Sequence, residues 1–318
     1  MVMERVVQNV TSKRVLVTGA SGFVGRPLTI GLLRAGYTVR AATRSTTSFP
    51  EPVEVAIVPD FRAAIDWKPI LQGVNSVIHL AGLAHADTHS TTLNDYEQIN
   101  WKTTLYLARA AKDVNIDRFI FISSVRAQSG PSAPHILRER DYPTPTDHYG
   151  HTKLAAELAV GFTGLPFTIL RPVAIYGPHP KGNVRKLLQI AKLPLPLPFA
   201  SFHNRRSLLS IDNLISAILF VLNNKMTIGE TFLVADPVPL TLAEIFAMLR
   251  KVQGRRPGLV HISPTIIRLA LYLLGQKKLW ERISEDLVVD TRKLESFGWR
   301  PAIGTYEGIC SMLHGITH

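Results

Sequence analysis

Cysteine is nearly missing from this chain: Cys310 stands alone among 318 residues. No intrachain disulfide can form, and the sequence fits a reducing, cytoplasmic setting. Residues 1–8 contain no apolar core of the kind a secretory signal needs. No stretch approaches the roughly 18 apolar residues of a membrane-spanning helix. Ile262 to Gly275 comes nearest, but it is short and is followed by Lys277 and Lys278. A helix packed on the core is expected there, with contact at a membrane surface as the alternative and no stable insertion. The chain also lacks a basic run interleaved with aromatics and any nucleic-acid module, so nucleic acid is not an expected partner. Internal repeats and low-complexity tracts are absent as well. Acidic residues are in deficit, with 36 Lys and Arg against 24 Asp and Glu for a net charge of +12. The excess falls on the second part of the chain, where residues 177–318 hold 18 basic and 10 acidic side chains against 18 and 14 in residues 1–176.

What is present suits a globular protein: 46% of residues are hydrophobic and 19% charged. Short apolar strands are expected at Arg14 to Thr18, Tyr37 to Thr43, Glu54 to Val58, Ser76 to Ala81, Arg118 to Ser123 and Phe167 to Arg171. Helical patterns lie between most of them, notably Pro27 to Arg34, closed by Gly36, then Tyr96 to Val114 and His148 to Val160. Alternation of this kind predicts an α/β fold with a Rossmann-type doubly wound parallel sheet. After Tyr176 the texture changes. Leu193 to Pro198 carries three alternate prolines, which exclude helix and favour an extended or polyproline segment. Strands are expected at Leu208 to Ile211 and Thr231 to Val234, and helices at Thr241 to Val252, Pro264 to Leu274 and Ser284 to Val289. The division expected is residues 1–176 as a dinucleotide-binding domain and 177–318 as a smaller C-terminal substrate-binding lobe, some of whose strands return to the main sheet.

Chemistry concentrates at two places. In Thr18-Gly-Ala-Ser-Gly-Phe-Val-Gly25, Gly19 permits a tight turn, Gly22 lets backbone approach a pyrophosphate and Gly25 lets the following helix pack on the strand. Amides at that helix N-terminus bind the anion, so the run predicts a dinucleotide site. The end of the second strand reads Val39-Arg-Ala-Ala-Thr-Arg44 without the acid that would bond a ribose 2′-hydroxyl. Arg44 is therefore the candidate for a 2′-phosphate, with Arg40 on the other face or in a salt bridge. Asp60 either binds the adenine amino group or caps a turn.

The second place is Tyr149-Gly-His-Thr-Lys153, which puts a phenol and an ammonium at i and i+4 on one helix face. Two unit charges roughly 4 Å apart at an effective dielectric of about 20 interact by about 4 kcal/mol, enough to lower the phenol pKa by up to roughly three units. A tyrosine poised in this way acts as acid or base. A metal is not expected. His85 and His89 have helical spacing and His79 is nearby, but no HExxH is present.

TGxxGxxG, His79-Leu-Ala-Gly82, Ser123-Ser124, YxxxK and Leu170-Arg-Pro172 together resemble the extended short-chain dehydrogenase/reductases, through nearly the whole chain. Asn204 to Asn213 and the proline-rich stretch resemble the nucleotide-sugar branch, especially UDP-hexose 4-epimerases and UDP-4-keto-6-deoxy-HexNAc 4-reductases. The resemblance implies Ser124, Tyr149 and Lys153 as catalytic residues. It places NADP or NAD against Gly19, Ser21, Gly22, Phe23, Val24, Gly25, Arg44, Asp60, Phe61, Leu80, Ala81, Gly82, Asn100 and Pro172, with Tyr149 and Lys153 also touching it. Thr103 stands where the family has a glycine after Asn100. For a UDP-sugar, Arg206 aligns with a pyrophosphate-binding arginine, Asn183 is a second phosphate or sugar contact, and Pro198 to Ala200, including Phe199, offer extended backbone to uracil.

The activity expected is reduction of a UDP-4-keto-6-deoxy-HexNAc at C4 in surface-polysaccharide precursor synthesis, with UDP-glucose or UDP-GlcNAc 4-epimerisation as the alternative. Arg44 in place of an acid and Ala84 in place of a lysine near the cofactor phosphates weigh toward the reductase. Val125 after Ser124, rather than Thr-Asp-Glu, weighs against water elimination. A non-catalytic NAD(P)-sensing protein is the remaining alternative, and a homodimer is an open option.

Overall fold

The computed structural model describes residues 13–84, 91–178 and 182–314. A central sheet of seven parallel strands is ordered β10-β6-β5-β4-β1-β2-β3. Its strands are β1 (Arg14–Thr18), β2 (Thr38–Thr43), β3 (Glu54–Ile57), β4 (Ser76–His79), β5 (Arg118–Ile122), β6 (Phe167–Pro172) and β10 (Thr231–Val234). Strands β1, β4 and β5 are buried along nearly their whole length, because helices cover both faces and leave no side for polar residues. One apolar cluster on Val15, Val17, Ile78, Ile120 and Leu170 fills one face. A second on Leu16, Val77, Phe119, Phe121 and Ile169 fills the other, as the two-residue period of a strand requires.

The switch point of this sheet lies between β1 and β4, the place where such folds open a crevice at their strand C-termini. Both the glycine run and His79-Leu-Ala-Gly82 leave the sheet there.

The later part of the chain does not stand apart. Strand β10 pairs with β6, from Thr231 beside Ile169 to Val234 beside Pro172. The helix Ile211–Asn223 buries Leu214, Ala217, Ile218 and Val221 in the first cluster. Arg118 at the start of β5 donates to the carbonyls of Val221 and Asn224 at that helix's C-terminal end, where a cation complements the helix dipole. The remaining short strands are β7 (Ala174–Tyr176) paired with β9 (Leu208–Ser210), and β8 (Arg205–Arg206) paired with β11 (Leu240–Thr241). A third apolar cluster, with Leu188, Phe202, Leu242, Phe246 and Met312, forms the smaller lobe.

Two expectations need correction. Ser284 to Val289 is not a helix. The helix Lys277–Ser284 ends there, and the chain runs extended, bridging Leu287 to Arg206 and Val289 to Leu137. Leu287 and Val289 are buried on alternate positions, a strand period that won over helical propensity. Pro198 to Ala200 is a turn, with Phe202 N–H donating to Phe199 O at 3.1 Å, so it offers no extended backbone. The ring of Phe199 stacks on Phe246 at 4.7 Å between centroids, which commits it to the core of the lobe.

Candidate active site

Gly19 closes β1 with φ of +69°, and Gly22 N–H donates to Gly19 O at 2.9 Å to make the turn. A Cβ on Gly25 would sit 2.2 Å from Gly19 O and 2.6 Å from Ala20 Cα, so only glycine lets the helix Gly25–Arg34 start hard against the strand end. Ser21, Phe23 and Val24 complete the run, with Ser21 exposed and Val24 at the helix N-cap. Across the switch point, Leu80 packs on the core and Ala81 N–H donates to Thr18 Oγ1 at 3.3 Å. A Cβ on Gly82 would lie 3.1 Å from Asn100 Oδ1 and 3.9 Å from Lys153 Nζ. These glycine-lined approaches are the cradle that a dinucleotide's backbone contacts require, so the residues present fit the cofactor.

Asn100 lies in a π-helical turn, Glu97–Lys102, a distortion that occurs often at functional sites. Its Oδ1 accepts from Leu83 N–H at 2.7 Å, and its Nδ2 donates to Thr152 Oγ1 at 3.3 Å, one residue before Lys153. Thr103, in place of the family's glycine, bonds Phe61 O and Gln98 O and ties the loop after β3 to this helix. Phe61 itself rests 6.2 Å from Trp67 between ring centroids. His79 is fully buried between Thr18 Oγ1 at 2.6 Å and Thr104 Oγ1 at 2.9 Å. Burial, reinforced by Lys153, lowers its pKa to about 3, so it stays neutral and holds the β1 and β4 ends together.

The helix His148–Phe162 brings Tyr149 and Lys153 to the end of β5. Asp147 caps it, accepting from Gly150 N–H at 2.8 Å, and pairs with Arg126 at 2.6 Å. Gly150 is what allows the approach: a Cβ there would lie 2.3 Å from Arg126 O. The helix thereby presses on the turn Val125–Ala127, whose N-cap is Ser124. Ser124 Oγ accepts from Arg126 N–H at 3.1 Å and is hydrogen-bonded to Tyr149.

Lys153 Nζ donates to Ile122 O at 2.7 Å and lies 4.1 Å from the Phe121 ring centroid. The expected lowering of the Tyr149 pKa is not found. Burial pushes the phenol up to about 12, and the Ser124 hydrogen bond offsets only part of that rise. Burial also holds the Lys153 ammonium down at about 7.

Behind this cluster, Arg171 on β6 forks onto Glu157, one helical turn beyond Lys153, at 2.5 Å. Arg171 also donates to Gln128 Oε1 at 2.9 Å, joining helix, sheet and Ser124 turn. Gly150, Asp147, Glu157 and Gln128 were not singled out from the sequence. An Asp directly before an apolar-periodic run is the one signal that would have marked a cap.

Arg40 is buried and bonds Glu54 at 2.8 Å, the salt-bridge option of the sequence. Arg44 is exposed and pairs with Asp60 at 3.6 Å, while Asp60 also accepts from Arg62 N–H and so caps its turn. Arg44→Ala is expected to weaken NADPH roughly 10- to 100-fold and NADH much less, while Asp60→Asn, which frees Arg44, strengthens NADPH by a few-fold. Competitive titration of the two cofactors checks both, and equal loss for both cofactors in Arg44→Ala removes Arg44 from phosphate recognition.

Pro172 ends β6 and is buried. Arg206 donates to Glu285 O at 3.1 Å and Pro131 O at 2.7 Å, which fixes its guanidinium between the smaller lobe and the loop beyond the Ser124 turn. The side chain of Asn183, and both His85 and His89, lie outside the described residues.

A parallel sheet of this order, with Ser, Tyr and Lys gathered beside a glycine-lined crevice at its switch point, defines a nicotinamide-dinucleotide enzyme of the extended short-chain dehydrogenase/reductase type. The model of the NAD dependent epimerase/dehydratase family matches residues 15–235, and the chain belongs to that family. Its cofactor is NAD or NADP. The chain is 30% identical over 306 residues, 93% of each chain, to a UDP-glucose 4-epimerase of Vibrio cholerae. It is 28% identical, over 78% of its length and 75% of the relative's, to the N-acetyl-alpha-D-glucosaminyl-diphospho-ditrans,octacis-undecaprenol 4-epimerase of Escherichia coli O157:H7. Among solved structures, the UDP-glucuronic acid 4-epimerase of Bacillus cereus in complex with NAD shares the fold with a TM-score of 0.77 at 22% identity, over 96% of both chains.

Proposed function

We propose that the protein is a UDP-hexose 4-epimerase. The observation that carries this is the 30% identity to a UDP-glucose 4-epimerase over nearly the whole of both chains. The Ser124, Tyr149 and Lys153 cluster supports it chemically. When bound, the nicotinamide supplies reversible hydride exchange with the sugar carbon. Tyr149 takes the proton of the C4 hydroxyl and returns it, and Ser124 donates to the same oxygen as charge develops. Lys153 would hold the nicotinamide ribose and, when protonated, would favour the phenolate. Arg206 and Asn183 are the candidates for the diphosphate and sugar, as guanidinium geometry suits a phosphate pair.

A second reading, C4 reduction of a UDP-4-keto-6-deoxy-HexNAc, is favoured by Arg44 at a strand end without an acid. The ion pair of Arg44 with Asp60 weakens that preference, because a carboxylate already faces the guanidinium. The fate of reducing equivalents separates the two. The epimerase interconverts UDP-glucose or UDP-GlcNAc with its 4-epimer using catalytic cofactor, and NAD(P)H absorbance stays constant. Stoichiometric loss of that absorbance with a 4-keto sugar, without epimerisation of either hexose, would establish the reductase instead.

A further inference from the structure

The helix Pro264–Leu273 has no buried residue although it is almost wholly apolar. Ile267 packs against the third cluster, so the helix is attached to the smaller lobe by one face. The opposite face presents Ile266 and Leu269, each 62% exposed, and Leu273, 80% exposed, with Leu274 at 72% just beyond. Their spacing of i, i+3 and i+7 makes one continuous apolar stripe about 10 Å long. Scattered exposed leucines need no explanation, but a stripe on one helix does.

The segment that carries the stripe is basic in sequence. Residues 251–282 hold seven Lys and Arg against one acid, Glu281. Arg256, Arg268 and Lys277 are exposed, and among the described residues none of the three has an acidic partner. No described helix is long and apolar enough to cross a membrane.

We propose that this face docks the protein on an anionic lipid bilayer, with the helix lying in the interface and Arg268 and Lys277 at the headgroups. An apolar stripe flanked by cations matches such a surface in both chemistry and charge. A second copy matches it poorly. A two-fold interface sets the same patch against itself, so the basic residues would meet each other as the apolar stripe is buried. The docking holds whichever C4 reaction the site performs.

Flotation with vesicles tests this, using equal parts phosphatidylglycerol and phosphatidylcholine against pure phosphatidylcholine. The full chain is expected to float with the anionic vesicles and to be released as salt rises. Leu269→Glu with Leu273→Glu is expected to cut partitioning at least about tenfold while the melting temperature and cofactor binding stay unchanged. If that pair melts early, Leu269→Ser with Leu273→Ser carries the comparison. Arg268→Gln with Lys277→Gln is expected to weaken binding to the anionic vesicles and flatten its salt dependence. Wild-type protein that stays soluble with both vesicles, or glutamate and serine variants that partition equally with it, overturns the proposal. A wild-type dimer by sedimentation velocity that the glutamate pair dissolves, without vesicle binding, overturns it in favour of a second copy.

Discussion

Tyr149→Phe is expected to lower kcat by on the order of 10²-fold or more and to leave cofactor affinity nearly unchanged, because the ring stays and only the proton-transfer group goes. Steady-state rates, with cofactor titrations in parallel, check both halves, and a rate near wild type would exclude Tyr149 as the proton carrier. The electrostatics sharpen the expectation. Burial pushes the phenol up to about 12, above the ordinary value, so Tyr149 is protonated throughout the neutral range. A difference titration of phenolate absorbance, wild type minus Tyr149→Phe, is expected to show its rise only near that pH. A bound oxidised nicotinamide would bring positive charge to the Tyr149 and Lys153 side chains, and positive charge favours the phenolate. A lower phenol pKa in the NAD-bound protein is the expected sign of this, and an unchanged one would mean the tyrosine works only as an acid.

Arg171→Ala is expected to cost about 3 to 5 kcal/mol of stability, because it leaves Glu157 charged and unpaired in the interior. The side chains are only 7% and 4% exposed, so solvent cannot replace the lost partner. Chemical denaturation measures the loss, and a loss under about 1 kcal/mol would mean that the pair is dispensable. Arg171→Met with Glu157→Leu is expected to regain most of that stability, since a buried pair is replaced with less penalty than it is broken. Activity is expected to behave differently. Glu157 holds the Lys153 pKa up against burial, so its removal drops the value further below about 7 and loses the ammonium at lower pH. The double variant is therefore expected to be stable and to show a pH profile whose alkaline limb falls earlier.

The sheet was legible because its signals are local: β1 and β10 fall at the expected residues, and the other strands differ by one or two positions. Glycine spacing and the Tyr149 to Lys153 interval are local too, and both led to the crevice. The phenol's pKa was not legible. The i and i+4 geometry was read correctly, but the sign of the shift is set by burial, a long-range fact. Gly150 was passed over inside the motif because its importance lies in Arg126 O, far away in sequence until the helix docks. Ser284 to Val289 failed for the opposite reason. Its alternation of Leu287 and Val289 was visible, but a short run carries two periods equally well.

The pairing of β10 with β6 has a consequence for the chain while it is being made. Until Thr231–Val234 leaves the ribosome, the β6 edge offers unpaired backbone groups, and the apolar face awaiting Leu214 and Ile218 is uncovered. Emergence of the nucleotide-binding segment alone is therefore expected to yield a sticky, aggregation-prone intermediate rather than a finished module.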